Sequence, residues 1–517
     1  MTTRRQFVAG GMLAGLGLAA PAILRAQSQP GPLADPFALG VTAGDPAPDG
    51  FVIWTRIAPS PLEPHGGAPM KPLAVQWQVA RDERFATIVA GGEAVARPEI
   101  GHSVHVEVGG LDPDRPYWYR FLLDGVPSPH GRARTLPALA SHRKRLRFGV
   151  CGCMNWQDGL FTALDHLANE DLAFVYHFGD FIYETSRTGD AKTYWDTPLP
   201  MVRTHLGGEC FDLGDYRLRY AQYLTDPALR AARAAHVWLP SFDDHEVANN
   251  WVGDLDARGT PPELFALRRQ AALQAWYEFM PVRRAMLPRG GAVTAWRGLR
   301  YGDLAAIDVL DTRSYRSDQP CGDNFRPACP AVMDEKAQVV SPEQEAWLTA
   351  HVRSRDVAWH GIAQQVMMMA LDRRTMADAP ERIVNLDSWA GYEAPRRRLL
   401  SSLKGLGDVV VLTGDEHQNF AGLLDDGDRP VAVEFVSTSI ASGGDGSDVR
   451  PGSDRMLANN ANLSFMNDQR GYLVCEVTPD AWATNFMVVD RVSSPGAAIH
   501  RRATATVARG EVALAIT

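Results

Sequence analysis

Three short stretches, far apart in a chain of 517 residues, carry side chains suited to hard-cation chemistry: Gly179-Asp180-Phe181-Ile182-Tyr183, Phe242-Asp243-Asp244-His245-Glu246 and Gly414-Asp415-Glu416-His417. Each follows an apolar run and then breaks into carboxylate, phenol or imidazole, which is how strand ends deliver ligands to one cluster. A carboxylate shared by two cations holds them roughly 3.5–4 Å apart and permits in-line displacement at phosphorus. Asp180, at the end of the run 173–179, is placed to be that bridge. Tyr183, three residues on, can return its phenolate to the same ion after one turn of backbone. A capping Asp with a packed Tyr would be an ordinary strand-to-helix turn if it stood alone. The other two stretches turn the balance toward a metal-dependent phosphoesterase.

Asp243-Asp244-His245-Glu246 places four ionisable side chains in a row, and their repulsion calls for cations more than for a solvated turn. Asp244 is read as the ligand and His245 as the group that stabilises charge on, or protonates, the leaving oxygen. Asp243 and Glu246 then orient their neighbours. Asp415 and His417 alternate, so they point the same way if the backbone is extended. Arg268 and Arg269, on a predicted helix over 264–279, are candidate contacts for substrate phosphate. Six cysteines are too few for a disulfide scaffold. Cys321 and Cys329 flank a short loop and form a disulfide in an oxidising compartment, while Cys151-Gly152-Cys153 supplies thiols. Phenolate and thiolate donors together suit trivalent iron better than magnesium or calcium. The triplet Met367-Met368-Met369 reads as core filling.

These residues need a frame of strands. Between 35 and 140 short β-type runs (51–55, 74–79, 104–108, 117–121) alternate with Gly, Pro and Asp clusters, which predicts an antiparallel β-sandwich. A basic linker over 141–147 follows. From 146 to 517 apolar runs at 147–150, 172–178, 237–242, 304–310, 359–366, 409–412, 432–436 and 472–477 alternate with helical patterns at 160–168, 264–279 and 344–352. That alternation predicts an α/β or α+β catalytic domain with layered sheets and flanking helices. Ser341 and Pro342 predict a cap and first turn for the third helix.

The N-terminus predicts an export signal over 1–26. Thr3-Arg4-Arg5-Gln6-Phe7 is a twin-arginine pattern, and the apolar run 8–20 is too short to span a bilayer. Cleavage fits both Ala20-Pro21-Ala22 and the region around Arg25-Ala26-Gln27. The expected location is periplasmic or secreted, through the twin-arginine export machinery, with no transmembrane anchor. The net charge is −9, and loss of a segment holding three arginines and no acids would leave −12. Such a surface argues against bulk nucleic-acid binding.

The chain resembles the PhoD-type alkaline phosphatase and phosphodiesterase family of metallophosphoesterases. The likeness covers nearly all of it. Asp35-Pro36-Phe37-Ala38-Leu39-Gly40-Val41-Thr42-Ala43-Gly44-Asp45-Pro46 resembles the family's N-terminal sandwich, and Leu310-Asp311-Thr312-Arg313-Ser314-Tyr315 and Glu434-Phe435-Val436-Ser437-Thr438-Ser439-Ile440 resemble its catalytic domain. The resemblance implies an iron(III)-calcium cluster and a metal-bound hydroxide or oxide as nucleophile. It implies Cys153, rather than Cys151, as an iron ligand, Asp180 as the bridge and Tyr183 as the phenolate ligand. Asp244 matches a metal position, and Asp415 with His417 match the third-strand-end pair. Gly152-Cys153-Met154 departs from the family's usual Ser-Cys-Gln. Two other readings are a phospholipase D-like or otherwise dedicated phosphodiesterase on the same scaffold, and a surface binding module stabilised by metal.

Overall fold

The computed structural model describes residues 35–193, 196–374 and 381–517. The segment 1–26 expected to direct export lies outside them. No described helix is long and apolar enough to cross a membrane.

A ten-stranded sheet runs through most of the chain. Its middle is parallel: Leu146–Cys151, Val175–His177, Val237–Pro240 and Val41–Ala47 lie side by side. The strand residues are buried almost throughout, as expected for a sheet covered on both faces. On one flank Gly50–Arg56 and Ser103–Val108 add antiparallel strands. On the other, Gly471–Val477, Ala481–Val489, Ile499–Ala508 and Ala515–Ile516 do the same. The C-terminal segment is therefore built into a sheet edge.

A second sheet of seven strands holds a parallel core of Ala305–Val309, Trp359–Ala363, Val409–Thr413 and Pro430–Val436. The N-terminal β region contributes a further sheet of Leu73–Ala80, Ile88–Ala96, Pro116–Leu123 and Val126–Pro127, with Gly131–Arg134 paired to Pro116–Leu123. Its other layer is continuous with the ten-stranded sheet, because Ala43 pairs with Val237 and Gly44 with Trp238. The N-terminal strands are thus hydrogen-bonded into the frame that carries the ligand motifs.

The two large sheets meet at Phe178. A side chain on Gly152 or on Gly414 would collide with its ring at about 2.2 and 2.1 Å, so a glycine is required beside each of the two strand ends. Among the helices, Pro342–Arg353 starts as expected, with the Ser341 hydroxyl accepting from the Gln344 amide. Helix Leu213–Tyr223 was not expected. Its buried residues are Tyr216, Arg219, Tyr220, Ala221, Gln222 and Tyr223, mostly polar or aromatic and five of them consecutive, so hydrophobic periodicity does not announce it. The expected strand over 172–178 is confined to Val175–His177.

Candidate metal centre

Five of the six candidate ligands sit just after the C-terminal end of a parallel strand, with Tyr183 three residues beyond Asp180. Cys153 follows Leu146–Cys151, Asp180 follows Val175–His177, Asp244 follows Val237–Pro240, and Asp415 and His417 follow Val409–Thr413. Four of these five residues stand in the left-handed backbone region: Cys153 at φ 52°, Asp180 at 55°, Asp415 at 66° and His417 at 54°. Non-glycine residues seldom adopt that conformation, and clusters of it mark sites where the surroundings impose a side-chain direction. Glu246 is one source of the constraint. Its buried carboxylate accepts from the amides of Asp180 (2.9 Å), Phe181 (2.6 Å) and Asp243 (2.8 Å).

The donors converge. Cys153 Sγ lies 3.3 Å from Asp180 Oδ2, and Tyr183 Oη lies 2.9 Å from the same oxygen and 3.0 Å from His417 Nε2. Donor atoms of Cys153, Asp180 and His417 are all within 4.8 Å of one another, as are those of Asp180, Asp244 and His245 and those of Asp243, Asp244 and Asp415. Cys151 is buried away from these groups, with its thiol pushed up by burial alone.

The electrostatics fit a bound cation. Burial, then Asp244, drive the Asp180 carboxyl well above the usual range, and burial, then Asp243 and Asp244, do the same to Asp415. Burial and Asp180 likewise raise the Cys153 thiol and the Tyr183 phenol. Burial, with help from Arg470, lowers His417 to about 3, so its imidazole is neutral and able to donate a lone pair. Asp243 Oδ2 and Asp244 Oδ1 are buried without a hydrogen-bond partner. Acids pushed toward neutrality and orphaned buried oxygens are what positive charge between them would relieve.

His245 stands apart from this set. Burial works against its protonation, but Asp244, Glu184 and Asp180 outweigh it and hold the imidazolium well above its ordinary range. Glu184 Oε2 is 2.6 Å from His245 Nδ1, and the Tyr183 ring packs against the imidazole at 3.9 Å between centroids. Glu184 directly follows the first motif, but its role depends on a partner 61 residues away. Arg313 is the other residue the local pattern hides. Its fully buried guanidinium binds Asp243 at 2.6 Å and Asp387 at 2.7 Å, and approaches Asp244 at 3.8 Å. It too follows a parallel strand, Ala305–Val309, which is the signal that could have marked it.

Arg268 and Arg269 are not brought to the cluster. Arg268 is held by Glu209 and Tyr216, and Arg269 by Asp254 and the Gly253 carbonyl, so the expectation that they contact phosphate is corrected. The disulfide joins Cys321 and Cys329 at 5.7 Å between Cα atoms. Both carboxylate oxygens of Asp323, inside that loop, lie 2.8 Å from the Asn250 side-chain nitrogen, which donates to them, and the Asn250 backbone amide donates to Asp244 at 2.7 Å. An open cleft of about 620 Å³ covers the site and is lined by Tyr183, Asn250, Asp415 and His417 among others.

Residues 148–486 match the PhoD-like phosphatase model, and residues 23–137 match the model of that phosphatase's N-terminal domain. Alkaline phosphatase D of Bacillus subtilis (strain 168) is 40% identical over 97% of this chain and 86% of its own length. The chain belongs to the PhoD-like phosphatase family. It is accordingly a phosphoric ester hydrolase. A solved structure of PhoD superposes with a TM-score of 0.89 at 40% identity, over 93% of this chain and 92% of that one. The purple acid phosphatase PPD1 from yellow lupin seeds reaches a TM-score of 0.55 at 12% identity over 91% of this chain and 74% of its own, and so shares the fold. In this PhoD-like phosphatase the strand ends that carry Asp180, Asp244 and Asp415 are therefore set in a phosphoesterase frame.

Proposed function

We propose that the chain is an exported alkaline phosphatase and phosphodiesterase that works with iron(III) and calcium. One observation carries the reading: thiol, phenol, imidazole and carboxylate converge within bonding reach beside a second group of acids, at the floor of an open cleft. Cys153, Asp180, Tyr183 and His417 would hold the iron, because anionic thiolate and phenolate donors beside an imidazole favour trivalent iron over calcium. Asp180, Asp244 and Asp415 would hold calcium, which takes oxygen ligands. Iron(III) and calcium bound there supply Lewis acidity toward phosphoryl oxygen and acidify water for attack on phosphorus. Asp180 bridges the two groups. Glu184 occupies Nδ1 of His245, so Nε2 carries the proton given to the departing alcohol oxygen. Residues 35–140 form the N-terminal β domain, 146–517 the catalytic domain, and 1–26 the twin-arginine signal. A cleft of this size takes organic groups on both sides of phosphorus, which favours diesters as well as monoesters and keeps a dedicated phosphodiesterase as the second reading.

The test is hydrolysis of p-nitrophenyl phosphate and bis-p-nitrophenyl phosphate at alkaline pH, with and without a calcium chelator, on protein of measured iron content. Chelator-sensitive turnover with one iron per chain is expected. Full turnover of metal-free protein would sink the proposal.

A further inference from the structure

One hydroxyl touches two of the proposed iron ligands without being a ligand itself. Ser442 Oγ lies 2.7 Å from Tyr183 Oη and 2.8 Å from the Cys153 carbonyl oxygen, and it accepts from the Asn155 amide at 3.0 Å. The residue is buried. A hydroxyl has one hydrogen to give. The Asn155 amide occupies an acceptor lone pair, so that hydrogen goes either to a neutral carbonyl or to the tyrosine oxygen. When Tyr183 ligates as phenolate its oxygen carries charge and outcompetes the carbonyl, because hydrogen bonds to ionised acceptors are about twice as strong.

Arg470, just before Gly471–Val477, ties the loop that presents Ser442 to the turn that carries His417. Arg470 Nη1 donates to the Ser442 carbonyl (2.8 Å), to the His417 carbonyl (2.6 Å) and to Ser439 Oγ (2.8 Å). Ser439 Oγ also donates to the Ser442 carbonyl at 2.6 Å. The Ser442 backbone is thus fixed relative to His417, and its side chain relative to Cys153.

We propose that Ser442 is a positioning residue that donates its hydroxyl hydrogen to the Tyr183 phenolate and sets how much electron density that oxygen gives its cation. The proposal rests on Tyr183 being an iron ligand, as argued above. A hydrogen bond stabilises the filled orbital on the phenolate oxygen and so raises the energy of tyrosinate-to-iron charge transfer. In iron-loaded Ser442→Ala the visible tyrosinate band should move to longer wavelength with iron content unchanged. Ser442→Thr, which keeps the hydroxyl, should leave it near its wild-type position, and Tyr183→Phe should lose the tyrosinate modes in resonance Raman spectra. A Ser442→Ala band at the wild-type wavelength overturns the proposal. Tyrosinate modes missing from the wild-type spectrum overturn the ligation itself and this inference with it. Wild-type protein also answers alone: in deuterated solvent the phenolate C–O stretch should shift, and a stretch indifferent to deuterium overturns the hydrogen bond.

Discussion

Two groups of buried acids meet at the same strand ends, and the chain treats them in opposite ways. Asp387 is paired from within by Arg313 at 2.7 Å and Arg316 at 3.1 Å, and Asp243 by Arg313 at 2.6 Å, which offsets only part of the burial that pushes Asp243 up to about 6. Among the described residues no guanidinium forms an ion pair with Asp180 or Asp415, and their carboxyls are driven up by burial and by the neighbouring acids, with Arg313 opposing only weakly at Asp415. Asp244 sits between the groups. Burial opposes its ionisation, but His245 and Arg313 hold it well below the usual carboxylate range. The contrast teaches where the fold supplies its own positive charge and where it leaves charge to be supplied by ions.

The largest break in that contrast is Asp180→Asn. Loss of the proposed bridging carboxylate should lower turnover by about 10³-fold or more while the protein stays folded. In metal-depleted protein at pH 9 the same variant should melt higher than wild type, because one unsupported acid is gone. Calorimetry of both proteins after chelation checks it, and a lower melting temperature would count against the contrast. Arg313→Met attacks the self-neutralised side and strands Asp243 and Asp387. Equilibrium unfolding should show a loss of about 3–5 kcal/mol, present with or without metal.

His245→Asn keeps every acid of both groups but removes the proposed proton donor, together with part of the charge that holds Asp244 down. Its loss of activity should be about 10²-fold, larger for an alkyl phosphate than for a nitrophenyl ester, whose leaving oxygen needs no proton. Equal losses on the two substrates would assign His245 to binding.

The smallest effect sharpens the comparison by using a buried base outside both groups. Burial, then Arg233, holds His177 down to about 3, against 6.5 in the unfolded chain. Between those values the unfolded state binds a proton that the folded state refuses, so stability is complete above pH 6.5 and falls as pH falls. The cost is about 1.4 kcal/mol per pH unit for this residue. Urea unfolding at pH 7 and pH 5 should show a flatter pH dependence for His177→Asn than for wild type.

The candidate ligand motifs were legible because each is short and follows an apolar strand, so local order alone brings out Asp180, Asp244, Asp415 and His417 as residues the fold gathers. The parts that remained hidden depend on long-range meeting. Arg313 reads as an ordinary loop arginine until Asp243, 70 residues earlier in the chain, is placed beside it. Ser442 follows no catalytic pattern and gains its place through contacts with Cys153 and Tyr183, which precede it by 289 and 259 residues. Backbone conformation was equally out of reach, since positive φ at Cys153 and Asp180 is imposed by packing and by Glu246. The helical arginines 268 and 269 misled for the converse reason. Their charge is visible in the chain, but the acids that engage them, Glu209 and Asp254, are found only in the fold.

The pairing of Leu146–Cys151 has a bearing on biosynthesis. This strand, which leads to Cys153, lies between Val175–His177 and Gly471–Val477. One neighbour leaves the ribosome soon after it, and the other comes near the end of translation. The strand that delivers Asp415 and His417 is also late. A chain that stops short of Asp415 lacks two of the candidate donors, and Leu146–Cys151 lacks one of its two neighbours until Gly471–Val477 has been made.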